Sequence, residues 1–331
     1  MSNETPLIWT EIGRKPGKYV LNAIAIHKEL FPSNPRFLIV SKEYAKKYNS
    51  SLLTLLTEDD IKINENTIKF NSLKKAWSYQ HVTYWINTTK RFFIIEDFMT
   101  QLQYKKAIHL ESDCLLLNID YINNLLADDN WGIKYTKHDN FSGCASTFVI
   151  NNIRNLQNFN SFVIENWKRK NITDMVLLHE YSLLNKNSNY LPSDNLNDSS
   201  VIYDSVSVGR YFLGRDARNS RFPFSTRGTF DVSPGAFNPS LFKFVKNGNK
   251  ILLANIENPD ANLDLGCIHV HSKRIPKNYR RLVKILIKDG TSKRGFFWRL
   301  GRLDFTVVGE RVATKIHKLL FFTKRNDLRF R

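Results

Sequence analysis

Lys106-Ala107-Ile108-His109-Leu110-Glu111-Ser112-Asp113-Cys114-Leu115-Leu116-Leu117 is an apolar run interrupted by an acid-x-acid triplet and then resumed. A short apolar run bounded in this way reads as a buried strand that ends at the triplet. Side chains two apart on extended backbone point the same way, so Glu111 and Asp113 are expected to converge at the strand's C-terminal end. In open α/β sheets, ligands bind at those ends. Two carboxylates brought together there repel unless a cation or a donor-rich ligand meets them. A hard divalent ion, held by one or two carboxylates and by substrate phosphates, meets that demand. The triplet therefore points to nucleoside-diphosphate chemistry.

Outward from this strand the pattern is that of an α/β body. Residues 6–10 and 36–41 read as strands with a helix at 20–30 between them, a βαβ start that implies a parallel sheet. Residues 61–70 are expected to supply another strand and 85–102 a helix, directly before the acid-bearing strand. Further strands are expected at 131–135, 146–150, 250–255 and 267–272, and helices at 159–168 and 174–184, the latter capped by Thr173. Residues 185–200 and 222–239 are rich in Asn, Ser, Gly and Pro and read as loops.

The charge is unevenly placed. Of the net +18, residues 273–331 carry +14, with 18 Lys and Arg against four acids. The expected division is a near-neutral body over 1–272 and a basic helical extension over 273–331. In that extension, Tyr279, Leu282, Val283 and Leu286 fall on one helical face, with Arg280, Arg281, Lys284 and Lys288 elsewhere, which suits an anionic membrane surface. No zinc-finger or RNA-binding signature accompanies the charge, so nucleic acid is the least favoured partner. The three cysteines, Cys114, Cys144 and Cys267, are widely spaced and read neither as a disulfide framework nor as a thiolate metal site. No stretch reaches eighteen apolar residues and the first residues lack the form of a signal peptide, so the expectation is a cytoplasmic protein at the inner face of the membrane.

A second constellation lies far along the chain, in Gly266-Cys267-Ile268-His269-Val270-His271-Ser272-Lys273-Arg274. His269 and His271 alternate with apolar residues and are expected to share one strand face, with two cations directly after them. Neutral imidazole is a common transition-metal ligand.

Together, Arg91-Phe92-Phe93, His109-Leu110-Glu111-Ser112-Asp113 and His269-Val270-His271-Ser272-Lys273 resemble, in order and spacing, the motifs of GT-A-fold, nucleotide-sugar-dependent glycosyltransferases of the bacterial and viral surface-glycan type. The resemblance spans about residues 5 to 275. It implies a Rossmann-like α/β fold with a mixed, mostly parallel sheet flanked by helices. It also implies a metal ion, Mn²⁺ or Mg²⁺, bound directly by Asp113. Glu111 would reach the metal through water, or else the donor ribose. One of His269 and His271 would complete the coordination, His271 being preferred, and Lys273 would contact the diphosphate. Gly143 and Ala145 would let the donor sugar lie close to backbone, and Arg210 would bind phosphate. Asp174 would face the donor sugar. If the reaction inverts, Asp174, Glu180 and Asp204 are candidates for the base. The donor is a nucleotide sugar, with a UDP-sugar favoured, and the acceptor a glycan or lipid-linked glycan.

Two rivals remain in view. A sugar nucleotidyltransferase would use the loop Gly13-Arg14-Lys15-Pro16-Gly17-Lys18 as a phosphate cradle. A non-catalytic polyanion- or membrane-binding protein would use the basic extension alone.

Overall fold

The βαβ start forms as its pattern requires. β1 (Leu7–Glu11) is buried except at Thr10, α1 (Lys18–Leu30) turns Val20, Ala23, Ile24 and Ile26 inward, and β2 (Arg36–Val40) runs parallel to β1. The computed structural model describes residues 4–46, 48, 51–73, 82–169, 172–193, 200–214, 239–248, 250–258 and 262–290. The 222–239 loop reading and the extension beyond residue 290 fall largely or wholly outside them.

β3 (Thr54–Thr57) continues the parallel run beside β2. Residues 61–70, expected as a strand, instead lead into α3 (Glu65–Ser72). The side chain of Asn64 accepts the Thr67 N–H at 3.0 Å, and the buried residues, Thr67 and Phe70, are three apart, which is helical spacing. α4 (Val82–Gln101) then leads into the acid-bearing strand β4 (Ala107–Leu110).

The main sheet is completed by β6 (Ile133–Lys137), β7 (Gly143–Ile150) and β8 (Asn189–Leu191), in the order β3-β2-β1-β4-β7-β6-β8. The pairings β1–β2, β2–β3, β1–β4 and β6–β8 are parallel, whereas β4–β7 and β6–β7 are antiparallel. This is the expected mixed, mostly parallel sheet. Alternate residues of β1 feed its two faces. Ile8 packs with Phe92, Phe93 and Phe98 of α4, Phe159 of α6 (Ile153–Asn166) and Leu177 of α7 (Asp174–Leu184). Leu7 and Trp9 pack with Val20 and Ile24 of α1 and Ile122 and Leu126 of α5 (Asp120–Ala127).

The strands expected at 250–255 and 267–272, the latter found at 262–269, belong to a second sheet that the sequence did not set apart. β5 (Cys114–Leu116), β10 (Phe242–Asn247), β11 (Lys250–Asn255) and β12 (Asn262–His269) join as β10-β11-β12-β5, all antiparallel, and β9 (Val201–Tyr203) lies parallel to β12. Its apolar face is covered by α8 (Ser207–Leu213) and α9 (Tyr279–Gly290) through Val208, Phe212, Leu282 and Leu286. The start of the basic extension therefore packs on the body. Ile275 is buried and its carbonyl accepts from Asn22 Nδ2 at 2.8 Å. Leu282 and Leu286, expected to seek a lipid surface, instead face β10 and α8, leaving Arg280, Arg281, Lys284 and Lys288 exposed. No helix among the described residues is long and apolar enough to cross a membrane.

Candidate active site at the junction of the two sheets

The chain changes sheets at the triplet. β4 ends at Leu110, the Glu111 N–H still donates to Ser146 O at 3.0 Å, and a turn closed by the Cys114 N–H on Glu111 O at 2.9 Å starts β5. Glu111 and Asp113 thus converge through a turn rather than by alternation along one strand. Asp113 O accepts the Val270 N–H at 2.7 Å, and His269 lies opposite Cys114 in the β5–β12 register. That pairing delivers the late histidine to the acids across 156 residues of sequence.

His269 Nε2 stands 3.3 Å from Asp113 Oδ1 and 3.7 Å from Glu111 Oε2. Lys273 adopts a left-handed backbone conformation, φ +58°, and its Nζ donates to Asp113 Oδ2 at 3.1 Å. From α4, Arg91 donates to Glu111 Oε1 at 2.6 Å and to Asp174 Oδ2 at 2.8 Å. Asp174 sits in the first turn of α7 after the Thr173 cap, is 2% exposed, and has no partner at Oδ1. Glu111, Asp113, Asp174, His269 and Lys273 are brought together, with Arg91 bridging Glu111 and Asp174.

The electrostatics follow from burial against pairing. Burial alone would raise the Asp113 carboxyl, but His269 and Lys273 beside it hold it well below the usual carboxylate range. Glu111 is likewise held down against its burial by Arg91 and His269. Asp174 shares Arg91, yet burial dominates and pushes its carboxyl up. For His269 burial works downward, but Asp113, Cys144 and Glu111 raise it well above the usual imidazole value.

His271 does not join the cluster. The strand ends at His269, the His271 N–H folds back onto His269 O at 2.9 Å, and the two rings lie 6.1 Å apart, edge to face. Burial, together with His269 and Arg210, lowers the His271 pKa to about 4. His269, and not the preferred His271, is the imidazole that stands beside the two carboxylates, because the strand stops before the alternation can carry both rings to one place.

Gly143 and Ala145 face away from the acids. A Cβ on Gly143 would come within 2.8 Å of the Tyr135 ring and 3.0 Å of Leu178, and Ala145 belongs to the α4/α7 core. The residue between them points to the site: Cys144 Sγ, Glu111 and His269 present ligand atoms that all lie within 4.8 Å of one another. One position along a strand is the opposite face, so Cys144, not Gly143 or Ala145, presents its side chain toward the acids. The cysteine reading changes with it, since Cys144 is part of a possible metal-ligating group.

Asp204 is bound up in backbone. Its Oδ1 accepts the Val208 N–H at 2.9 Å, and its Oδ2 accepts those of Gly209 at 2.8 Å and His269 at 3.1 Å. A carboxylate engaged by three backbone donors anchors α8 to β12 and is not placed as a proton acceptor. Glu180 is paired with Arg169 at 2.5 and 2.7 Å. Arg210 of α8 lies near enough to lower the pKa of both His271 and His138, after burial in each case. Two further residues were missed. Arg91 was visible in Arg-Phe-Phe, yet its charge had no assigned task. Glu11, fully buried at the end of β1, receives the Ser112 hydroxyl and both Arg14 bonds, at 2.6 and 2.8 Å.

The residues fit a divalent ion. His269 Nδ1–H donates to the Ser205 carbonyl, which fixes the tautomer and leaves Nε2 facing the two carboxylates. Glu111 and His269 would hold the ion, with Asp113 Oδ1 beside them at 3.3 Å from His269 Nε2, and the ion would take the place of the proton now shared with the imidazole.

No protein-family model and no curated protein matches the sequence. Among solved structures the chain is similar to mouse xyloside xylosyltransferase 1, at 8% identity and TM-score 0.39 over 57% of this chain and 85% of that one. It is similar to the galactosyltransferase LgtC in complex with donor and acceptor sugar analogues, at 13% and 0.37 over 57% and 73%. It is also similar to a cytidylyltransferase from Leptospira borgpetersenii, at 12% and 0.35 over 60% and 79%. Likeness at these scores carries no argument about activity, which has to be read from the site.

Proposed function

We propose that the protein is a metal-dependent glycosyltransferase that moves a sugar from a nucleoside-diphosphate donor to a glycan or lipid-linked glycan acceptor. The observation that carries this reading is the meeting of Glu111, Asp113, His269 and Lys273 where β4 passes into β5 beside the end of β12. That meeting place lies at the C-terminal edge of the parallel strands β1 and β4.

The leaving diphosphate presents the main electrostatic demand of glycosyl transfer. A bound Mn²⁺ or Mg²⁺ would supply charge to the diphosphate oxygens. The Lys273 ammonium, already 3.1 Å from Asp113, lies at the same place and adds a second positive charge there. Arg91 holds Glu111 against α4, so the carboxylate is oriented before substrate arrives and no reorganisation is needed. Asp174 Oδ1, buried and without a partner, is suited to accept a hydroxyl of the donor sugar. A UDP-sugar is the first donor to test.

The nucleotide-forming alternative requires the loop after β1 to receive phosphate. That loop is committed to the protein itself: Arg14 returns to Glu11, and the Gly13 N–H donates to Ser41 Oγ at 2.8 Å. The exposed cations of α9, with the further charge of residues 291–331, support approach to an anionic membrane carrying the acceptor. Since the apolar side of α9 is spent on the body, this attraction is electrostatic and falls with salt.

The deciding experiment is turnover across a panel of nucleotide sugars with Mn²⁺, with Mg²⁺ and with chelator. At least one donor is hydrolysed or transferred only with metal, and Asp113→Asn removes that turnover without unfolding the protein. A panel in which no donor is turned over or bound in a metal-dependent way would overturn the reading. Undiminished turnover in Asp113→Asn would remove the metal site.

A further inference from the structure

The donor set at the sheet junction is more than two acids and an imidazole. Cys144 projects from β7 toward Glu111 and His269, and no other group of three or more potential ligands is found among the described residues. Its Sγ lies 3.9 Å from the Ser205 carbonyl, the same carbonyl that orients His269. Asp113 Oδ1 lies 3.3 Å from His269 Nε2, beside this group of three. A thiolate, an imidazole and one or two carboxylates make the mixed N/S/O set that tetrahedral zinc accepts, whereas Mg²⁺ and Mn²⁺ take oxygen and make little use of sulfur.

We infer that this cluster binds Zn²⁺ with the Cys144 thiolate as a direct ligand, and that zinc bound in this way blocks the hard-cation chemistry of the same residues. On binding, the Cys144 S–H and His269 Nε2–H bonds break, both protons pass to solvent, and the freed sulfur and nitrogen lone pairs form the bonds to zinc. Zinc held by Glu111, Cys144 and His269 occupies the carboxylate and the imidazole that a hard cation would need, so the two ions compete for one place. The inhibitory part rests on the transferase reading; the binding part rests only on the geometry.

The test uses the full chain after metal removal, with Zn²⁺, Co²⁺ and Mn²⁺ as probes. Co²⁺ reports its own ligands. The expected result is a sulfur-to-cobalt charge-transfer absorption together with the intense visible bands of a tetrahedral ion, both abolished by adding Zn²⁺. Cys144→Ser loses the charge-transfer band and binds Zn²⁺ on the order of 10- to 100-fold more weakly, the loss seen even for an outer partner of a metal ligand. Its Mn²⁺ affinity stays within a few-fold. Cys267→Ala, which changes a buried thiol outside the cluster, keeps the band. Absence of a sulfur band in the unmodified chain overturns the inference whether or not the variant folds, as does Zn²⁺ affinity unchanged in Cys144→Ser. If no nucleotide sugar is ever turned over, these spectra still decide the zinc site. If turnover is found but Zn²⁺ leaves it intact while the band is present, only the inhibitory part fails.

Discussion

Arg91→Met is the perturbation that reads the site's construction most directly. The guanidinium is nearly buried, its side chain 9% exposed, and it makes charge-assisted bonds to Glu111 at 2.6 Å and Asp174 at 2.8 Å. Methionine fills similar volume and leaves both carboxylates without their cation. Breaking a buried pair by removing one partner costs about 3–5 kcal/mol, because the charge left behind stays desolvated. In a body of roughly 270 residues, an unfolding entropy of about 2.1 cal/mol/K per residue makes each kcal/mol worth about 2 °C, so a fall of about 5–10 °C in Tm is expected. The loss also depends on pH. Without Arg91, the folded-state pKa of Glu111 loses the larger of the two cations that hold it down and rises, and that of Asp174, already raised by burial, rises further. Raised carboxyl values favour the folded variant as pH falls, so its deficit narrows on acidification toward those values and is widest at neutral pH. Thermal and urea unfolding of both proteins across pH measure this. Adding Asp174→Asn removes one of the two stranded charges and recovers part of the deficit. A loss under about 1 kcal/mol, or one that does not change with pH, would show that Arg91 is not bracing the two acids.

Other perturbations reach different parts of the argument. A Cβ at Gly209 would fall 1.8 Å from His269 O and 3.2 Å from Asp204 Oδ2. Gly209→Ala should therefore cost about 1–3 kcal/mol by overpacking and weaken metal binding through displaced His269, as read by unfolding and titration; unchanged metal affinity would separate α8 from the site. His27 is buried and neutral, its Nδ1–H bonded to Ala23 O at 2.6 Å and its Nε2 receiving the Leu116 N–H at 2.9 Å, and burial lowers its pKa from 6.5 to about 4. Its contribution is complete above pH 6.5 and declines as pH falls toward 4, by about 1.4 kcal/mol per pH unit and about 3 kcal/mol in all. His27→Gln should lose that slope, and parallel stability–pH profiles would refute the assignment. Removal of residues 291–331 spares the packed α9 and should leave donor hydrolysis intact while weakening binding to anionic liposomes at low salt. Equal binding by the truncated chain would remove the extension from the membrane role.

Most of the main sheet was legible because its cause is local; β3 was not anticipated, and β8 lies within 185–200, which was read as a loop. Parallel strands buried on both faces must be apolar runs, helices between them must carry a stripe, and both patterns survive in one dimension. The failure at residues 61–70 has the same origin in reverse. Apolar and polar residues mix there without a clear period, and the Asn64 cap, rather than the apolar content, decides for helix. The second sheet was harder to see because β5 is three residues long and its partner β12 lies some 150 positions later.

The sequence by itself determined that Glu111 and Asp113 end a central strand, that a histidine-bearing strand and a lysine come late, and that the charge gathers at the C-terminal end. Residue type and short-range period are enough for each of these. Tertiary structure alone decided that His269 rather than His271 meets the acids, since that depends on where β12 stops. It alone set Cys144 on the site face in place of Gly143 and Ala145, a matter of strand parity relative to neighbours. It alone bound Asp204 to three backbone N–H groups and gave Arg91 its two carboxylates, 20 and 83 positions away. The physical reason is common to all four. Burial makes a charge costly unless a partner stands within hydrogen-bond reach, and which partner does so is a property of packed elements, not of spacing along the chain.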